Sequence, residues 1–139
     1  MPFRHQVVVR WRDCDMYQHV NNAVYLTYFE EARGRFWQVL KGPKFDGFDF
    51  IIAEITCTYL SPAKLGEELV VVVEVGEVGN KSFQLSYTIL ENESGRTVAK
   101  GRSAQVMYDH AKQESFVIPD EVRASLTHWR SLGKKSTPA

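Results

Sequence analysis

The longest helical pattern in the sequence covers residues 22–41, and it constrains the fold more than any other feature. Apolar residues recur at every fourth position and form one stripe. The stripe consists of Val24, Tyr28, Ala32, Phe36 and Leu40. We predict that Asn22 caps the N-terminus of this helix and that Gly42-Pro43 ends it. At 1.5 Å per residue the helix would be about 30 Å long, enough to cross a small domain, so we expect it to be the core helix.

Alternating patterns typical of β-strands surround this helix. One strand precedes it, with Val7, Val9 and Trp11 predicted on the buried face, and four strands follow. The predicted strands cover residues 5–12, 50–60, 68–78, 82–90 and 96–109. A hairpin turn is predicted at Gly79-Asn80-Lys81, a small-residue face at Ala99, Gly101 and Ser103, and a terminal helix over 120–129 with a frayed tail from Gly133. This order predicts an α+β domain in which an antiparallel five-stranded sheet wraps around one helix.

Composition narrows the possible functions. The 139 residues are 44% apolar and 24% charged, which fits one globular domain spanning residues 1–139. The net charge is zero, so no basic surface favours nucleic acid, and no apolar run approaches the 18 or so residues of a membrane span. Cys14 and Cys57 lack metal-type spacing, and no signal-peptide pattern is present. We expect a cytoplasmic protein with reduced thiols.

The segment that leads into the long helix carries the candidate chemistry. It contains two acids, Asp13 and Asp15, then His19, Asn21 and Asn22. A helix N-terminus has backbone N–H groups without intrahelical partners and carries partial positive charge, so it stabilises an anionic or polarised carbonyl oxygen. Either acid can also serve as a turn or capping residue. The residues alone therefore leave a catalytic and a structural interpretation open for both.

The same segment resembles a known family. Asp15-Met16-Tyr17-Gln18-His19-Val20-Asn21-Asn22, followed by Tyr28-Phe29-Glu30-Glu31-Ala32-Arg33, is similar to the hotdog-fold acyl-CoA thioesterases of the 4-hydroxybenzoyl-CoA thioesterase type. Tyr59-Leu60-Ser61-Pro62-Ala63 with Gly66, Gly79 to Phe83, and Val98-Ala99-Lys100-Gly101 are also similar, so the resemblance covers nearly the whole chain. It implies the hotdog fold and the hydrolysis of an acyl- or aryl-CoA thioester to free CoA and a carboxylic acid.

The resemblance also implies roles for individual residues. Asp15 matches the catalytic carboxylate, acting as nucleophile or general base, and the oxyanion donor is a backbone N–H at or next to Asn22. Asp13 is then expected to be structural. His19 matches the histidine of an Asp-x-Asn-x-His motif in plant acyl-carrier-protein thioesterases, while Tyr17 replaces the middle asparagine. No metal site is expected, because no second ligand lies at metal spacing from His19. No cofactor is expected, because CoA is part of the substrate.

Substrate contacts and partners complete these expectations. The candidate substrate-binding residues are Tyr17, Tyr25 and Lys81. The expected substrate is a thioester of CoA or of acyl carrier protein. Unpaired sheet edges and the family resemblance predict a homodimer or homotetramer with active sites between subunits. Two alternatives stay open: a non-catalytic acyl-thioester binding dimer, and an enoyl-thioester hydratase, whose Asn-Pro motif is absent from the active loop.

Overall fold

The computed structural model describes residues 1–136 and has the predicted α+β architecture. Five long antiparallel strands lie in the order β1-β3-β4-β5-β2 and curl around one helix, and a short β6 pairs with β5. This hotdog arrangement confirms the predicted fold class. The elements are β1 (Phe3–Val8), α1 (Val24–Lys41), β2 (Phe50–Tyr59), β3 (Glu68–Val78), β4 (Ser82–Glu91), β5 (Thr97–Asp109), β6 (Glu114–Ser115) and α2 (Asp120–Ser136).

The core lies between α1 and the concave face of the sheet. Alternate residues of β4 point inward, as predicted, and all are at most 1% exposed: Phe83, Leu85, Tyr87 and Ile89. The helix stripe also behaves as predicted at its centre, where Tyr28, Ala32 and Phe36 are fully buried. The dense valine run forms β3 in the interior of the sheet, between β1 and β4.

Helix α2 adds apolar surface to this core. It packs against β3, and the Trp129 ring meets the Phe36 and Phe3 rings edge to face at centroid distances of 5.4 and 6.2 Å. The helix continues to Ser136, so the predicted fraying from Gly133 is wrong for residues 133–136, and residues 137–139 lie outside the described part of the chain. Neither of the helices described over residues 1–136 is long and apolar enough to cross a membrane.

The first strand is shorter than predicted. It ends at Val8, and Trp11–Asp13 forms a 3-10 turn that leaves the Trp11 side chain 73% exposed instead of buried. The Asp13 carboxylate accepts a hydrogen bond from the Arg10 N–H at 3.0 Å, and the Asp13 N–H donates to the Arg10 carbonyl at 3.0 Å. These local hydrogen bonds compete with strand pairing and turn the chain.

The predicted alternation of β2 is wrong at its start. A bulge between Ile52 and Glu54 shifts the register against β5. Before the bulge only Phe50 is buried, whereas Ile51 and Ala53, predicted on the buried face, are exposed. The predicted phase holds after the bulge, where Ile55 and Cys57 are half-buried. Within residues 1–136, β2 pairs only with β5, so its other edge is open.

The predicted small face of β5 does allow a close approach. Ala99 and Ser103 are buried, and Gly101 lies directly against the ring of Phe29 from α1. A Cβ at Gly101 would come within 2.6 Å of that ring and closer still to the Thr56 carbonyl oxygen. The glycine therefore sets the distance between the helix and the sheet.

We expect Gly101→Ala to lower the free energy of unfolding by about 2 kcal/mol, because the added methyl group overpacks the contact with Phe29. Gly34→Ala is the matched control. A Cβ at Gly34, within α1, would meet Phe48 at an ordinary 3.6 Å. Replacing a mid-helix glycine by alanine stabilises by about 1 kcal/mol. Denaturant unfolding should therefore give effects of opposite sign, and equal effects would contradict this account of the packing.

Candidate active site

The predicted catalytic acid lies in a small hairpin. Cys14 and Val20 pair as an antiparallel bridge, and the Asp15 N–H donates to the His19 carbonyl at 2.9 Å. The Gln18 N–H donates to the Asp15 carbonyl at 3.0 Å, and Gln18 has a left-handed φ of 61°. This is the geometry of a three-residue hairpin loop that ends in a left-handed residue. It leaves Asp15 exposed.

Main-chain hydrogen bonds fix this hairpin against the loop between β2 and β3. The Val20 N–H donates to the Ala63 carbonyl at 2.9 Å, and the Leu65 N–H donates to the Gln18 carbonyl at 3.2 Å. His19 and Lys64 form a further bridge. The position of the Asp15 loop thus depends on the backbone of two segments that are about 45 residues apart in sequence.

Asp13 is buried and hydrogen-bonded, which favours the structural role expected for it. Its carboxylate is 3% exposed and accepts hydrogen bonds from the Tyr28 hydroxyl at 2.8 Å and from the Arg10 backbone. Burial alone would raise the pKa of Asp13. The hydrogen bonds from the Arg10 backbone, the Tyr28 hydroxyl and the Arg10 side chain outweigh burial and hold that pKa below its usual value.

This lowered pKa gives Asp13 a pH-dependent contribution to stability. The contribution is present above the unfolded-state pKa of about 3.9 and is lost as the pH falls through the lower folded-state pKa. We expect Asp13→Asn to destabilise the protein at neutral pH, and the difference from wild type to shrink below about pH 4. Denaturant unfolding at several pH values measures this difference. A gap that stays constant into acid would contradict the role of the charge.

The start of α1 differs from the prediction. Asn22 does not cap the helix: the N-cap residue is Ala23, and no side chain caps it. The Asn21 Oδ1 accepts a hydrogen bond from the Ala23 N–H at 2.9 Å, just before the helix begins. The Asn21 carbonyl accepts from the Val24 N–H at 2.9 Å. The Asn22 carbonyl accepts from the Tyr59 hydroxyl at 2.8 Å. The Asn22 N–H donates to no acceptor among residues 1–136.

Four of the six predicted site residues meet in one cavity of about 310 Å³. These are Asp15, His19, Asn22 and Tyr25. The other residues that line it are Val20, Tyr59, Leu60, Ser61 and Pro62. The cavity therefore brings together a carboxylate, an imidazole and the N-terminal turn of the long helix, with tyrosine rings beside them.

The other two predicted residues lie elsewhere. The Tyr17 side chain is 74% exposed and does not line the cavity, although the Tyr17 N–H donates to Asp15 Oδ1 at 2.9 Å. Lys81 lies in the turn between β3 and β4, with its Nζ 3.4 Å from Ser115 Oγ. Within one chain, neither side chain reaches the cavity around Asp15.

Sequence analysis missed Tyr59 as a site residue. Its ring meets the Tyr25 ring edge to face at 5.1 Å, and the Tyr25 hydroxyl accepts a hydrogen bond from the Ala63 N–H at 3.2 Å. Burial raises the pKa of both tyrosines, so both hydroxyls are protonated at neutral pH. The only signal was that Tyr59 begins one of the segments that carried the family resemblance.

Residues 1–136 contain no group of three or more His, Cys, Asp or Glu side chains arranged so that they could hold a metal ion.

The chain is similar to several known thioesterases. The long-chain acyl-CoA thioesterase FadM of Escherichia coli is 33% identical, over 87% of this chain and 94% of that protein. The acyl-CoA thioesterase YbgC of Haemophilus influenzae is 28% identical over 91% and 95%. A Thermus thermophilus thioesterase, solved with coenzyme A and zinc, superposes with a TM-score of 0.82 at 30% identity, over 98% and 96% of the two chains.

A family model described as the thioesterase-like superfamily matches residues 9–126, which is most of the chain. Together with the relatives, this match confirms the predicted family and the predicted enzyme class, a thioester hydrolase. The chain belongs to the thioesterase-like superfamily.

Proposed function

We propose that this protein is an acyl-CoA thioesterase that hydrolyses an acyl- or aryl-CoA thioester to free CoA and a carboxylic acid. The observation that carries the proposal is a single cavity lined by both Asp15 and Asn22, the residue whose backbone N–H is unpaired among residues 1–136. The relatives named as acyl-CoA thioesterases support this substrate class.

The unpaired N–H of Asn22 is suited to the electrophilic half of the reaction. Attack on a thioester carbonyl places negative charge on its oxygen, and a donor already aimed at that oxygen stabilises the transition state. Asn22 lies two residues before Val24, the first residue of α1, at the end where the helix carries partial positive charge. We assign the Asn22 N–H as the oxyanion donor.

Asp15 supplies the nucleophilic half of the reaction, the attack on the carbonyl carbon, by one of two routes. As a nucleophile, its carboxylate oxygen bonds to the carbonyl carbon, the C–S bond breaks, and water then hydrolyses the mixed anhydride. As a general base, it takes a proton from water while the water oxygen forms the new C–O bond and the C–S bond breaks. In both routes CoA leaves as a thiolate and takes up a proton. His19 is the imidazole of the cavity and the candidate donor of that proton.

The test is thiol release from a panel of acyl-CoAs of increasing chain length, aryl-CoAs and acyl-carrier-protein thioesters, followed with a thiol reagent. We expect release of free thiol with at least one CoA thioester. Binding of acyl-CoA without thiol release would favour the non-catalytic binding alternative. Loss of enoyl absorbance without thiol release would favour the hydratase.

We further propose that two copies pair along the open edge of β2. Antiparallel pairing of two β2 edges places the Phe50 end of one strand beside the Tyr59 end of the other. Lys81 lies at the Phe50 end, because its carbonyl accepts a hydrogen bond from the Met107 N–H at 2.8 Å and Met107 pairs with Phe50. Lys81 of one copy would then lie near the cavity of the other, where its charge suits a CoA phosphate.

Complementation between subunits tests this arrangement. Asp15→Asn and Lys81→Ala should each lower kcat/KM, the second by about tenfold because one charged contact is lost. A heterodimer of the two variants has one site with both changes and one site with neither. We expect co-purified heterodimers to recover about half of the wild-type activity per dimer. An active monomer by light scattering, or no recovery on mixing, would contradict the proposal.

A further inference from the structure

We propose that Tyr59 is a positioning residue for the oxyanion donor, acting through its hydrogen bond to the Asn22 carbonyl. This inference rests on the proposed function, in which the Asn22 N–H receives the thioester oxygen. The hydroxyl oxygen of Tyr59 lies 2.8 Å from the Asn22 carbonyl oxygen and approaches from a strand 37 residues further along the chain.

The peptide group between Asn22 and Ala23 is held at both ends. Tyr59 donates to its carbonyl at 2.8 Å, and its N–H donates to the Asn21 side chain at 2.9 Å. The neighbouring peptide group, which carries the Asn22 N–H, is held only at its carbonyl, by the Val24 N–H at 2.9 Å. The two peptide groups share the Asn22 Cα. Fixing one of them restricts the rotation that would turn the free N–H away from the cavity.

The Tyr59 hydroxyl itself is a poor candidate for direct catalysis. A phenol carries one proton, and this proton is already donated to the Asn22 carbonyl. The ring is fixed by the edge-to-face contact with Tyr25 at 5.1 Å and by the end of β2, where Tyr59 pairs with Ala99. The hydroxyl is therefore a fixed point of the sheet to which the helix start is attached.

The hydrogen bond between Tyr59 and Asn22 connects the sheet to the segment that carries the candidate catalytic groups. β2 belongs to the sheet, whereas Asn22 belongs to the segment that carries Asp15. Preorganised donors are effective because they need no reorientation during the reaction, so a looser donor lowers kcat more than it weakens substrate binding. The expected signature of a lost Tyr59 hydroxyl is thus a fall in kcat at nearly constant KM.

The experiment compares Tyr59→Phe with wild type. We expect kcat to fall about tenfold, which corresponds to about 1.4 kcal/mol of barrier, with KM changed less than about twofold. Tyr87→Phe is the matched control. It makes the same chemical change at a buried tyrosine, whose hydroxyl contacts Ser103 and Arg33 away from the cavity, so it should lower stability and leave kcat near wild type. Circular dichroism and thermal unfolding verify that both variants fold.

The affinities of two non-hydrolysable CoA ligands distinguish a loss of the oxyanion donor from a general loss of stability. A ketone analogue, with CH₂ in place of the sulfur, keeps the carbonyl oxygen, whereas a thioether analogue has none. Calorimetry with Tyr59→Phe should show the ketone bound about fivefold more weakly and the thioether bound as in wild type, because only the ketone uses the N–H.

The outcomes separate the two proposals. If wild type releases no thiol from any thioester, the proposed function fails. If wild type is active and Tyr59→Phe has the same kcat, only the role of Tyr59 is wrong. Equal weakening of both analogues, or a higher KM at unchanged kcat, would identify Tyr59 as an ordinary substrate contact and would also overturn the inference.

Discussion

Replacing Asp15 by asparagine is expected to lower turnover by about two orders of magnitude or more, with the fold intact and substrate still bound. The structure explains why the loop should survive. Asp15 uses only Oδ1 within the loop, as acceptor from the Tyr17 N–H at 2.9 Å, and an asparagine oxygen accepts the same hydrogen bond. What is lost is the negative charge needed for attack on the thioester or for proton removal from water. Single-turnover thiol release measures the chemical step directly.

Asp13→Asn is the control for this prediction. It makes the same chemical change two residues away, at a carboxylate that is buried and bonded to Tyr28 and Arg10. Asp13 does not line the cavity with Asp15, so its replacement should cost stability and leave most of the turnover. Near-equal rates for wild type and Asp15→Asn would refute the assignment of the catalytic carboxylate.

Asn22→Pro is expected to lower turnover by about two to three orders of magnitude, because it removes the N–H that we propose as the oxyanion donor. Proline is tolerated at the start of a helix, and the N–H that it removes has no acceptor within residues 1–136. Asn22→Ala keeps the N–H. It should have near wild-type stability and turnover, since the side-chain oxygen that accepts from the Ala23 N–H belongs to Asn21. Thermal unfolding checks the fold and thiol release checks the activity.

Ala23→Pro tests which of the two N–H groups is the donor. Ala23 has a φ of −69°, close to the proline value of about −65°, and its N–H is already donated to Asn21 Oδ1. We therefore expect a much smaller loss of turnover than with Asn22→Pro. The opposite order would move the donor to Ala23. Two folded and fully active proline variants would transfer the electrophilic role to side chains such as His19 or Asn21.

The architecture could be predicted from the sequence because its elements carry regular patterns. The period of two in β4 and the four-residue spacing in α1 both report burial on one face, and both hold in the structure. The errors arise where a local interaction breaks the pattern. Asp13 accepts a hydrogen bond from the Arg10 N–H, and the chain turns at Trp11–Asp13 instead of continuing the strand. The bulge between Ile52 and Glu54 shifts the alternation of β2. A pattern of apolar and polar residues contains no information about the turn or about the bulge.

The site was predictable to the extent that its residues are close in sequence. Asp15, His19 and Asn22 lie within eight positions, and one motif carries all three. Tyr59 was missed because its link to Asn22 spans 37 residues and depends on how the strand end meets the helix. The prediction that Asn22 caps the helix was wrong for a similar reason, because the Ala23 N–H donates to the side chain of Asn21 and not to that of Asn22. Two adjacent asparagines are equivalent in a pattern, and only the backbone geometry decides which oxygen reaches the Ala23 N–H.

The main-chain anchoring of the Asp15 hairpin has a consequence for how such a protein can evolve. Its contacts with the Ala63 and Leu65 backbones involve no side chain of the loop tip, where Met16 and Tyr17 are 86% and 74% exposed. Mutations at these two positions can accumulate without moving the carboxylate, because backbone hydrogen bonds are indifferent to side-chain identity. The loop tip can therefore vary in sequence over evolution while Asp15 keeps its position.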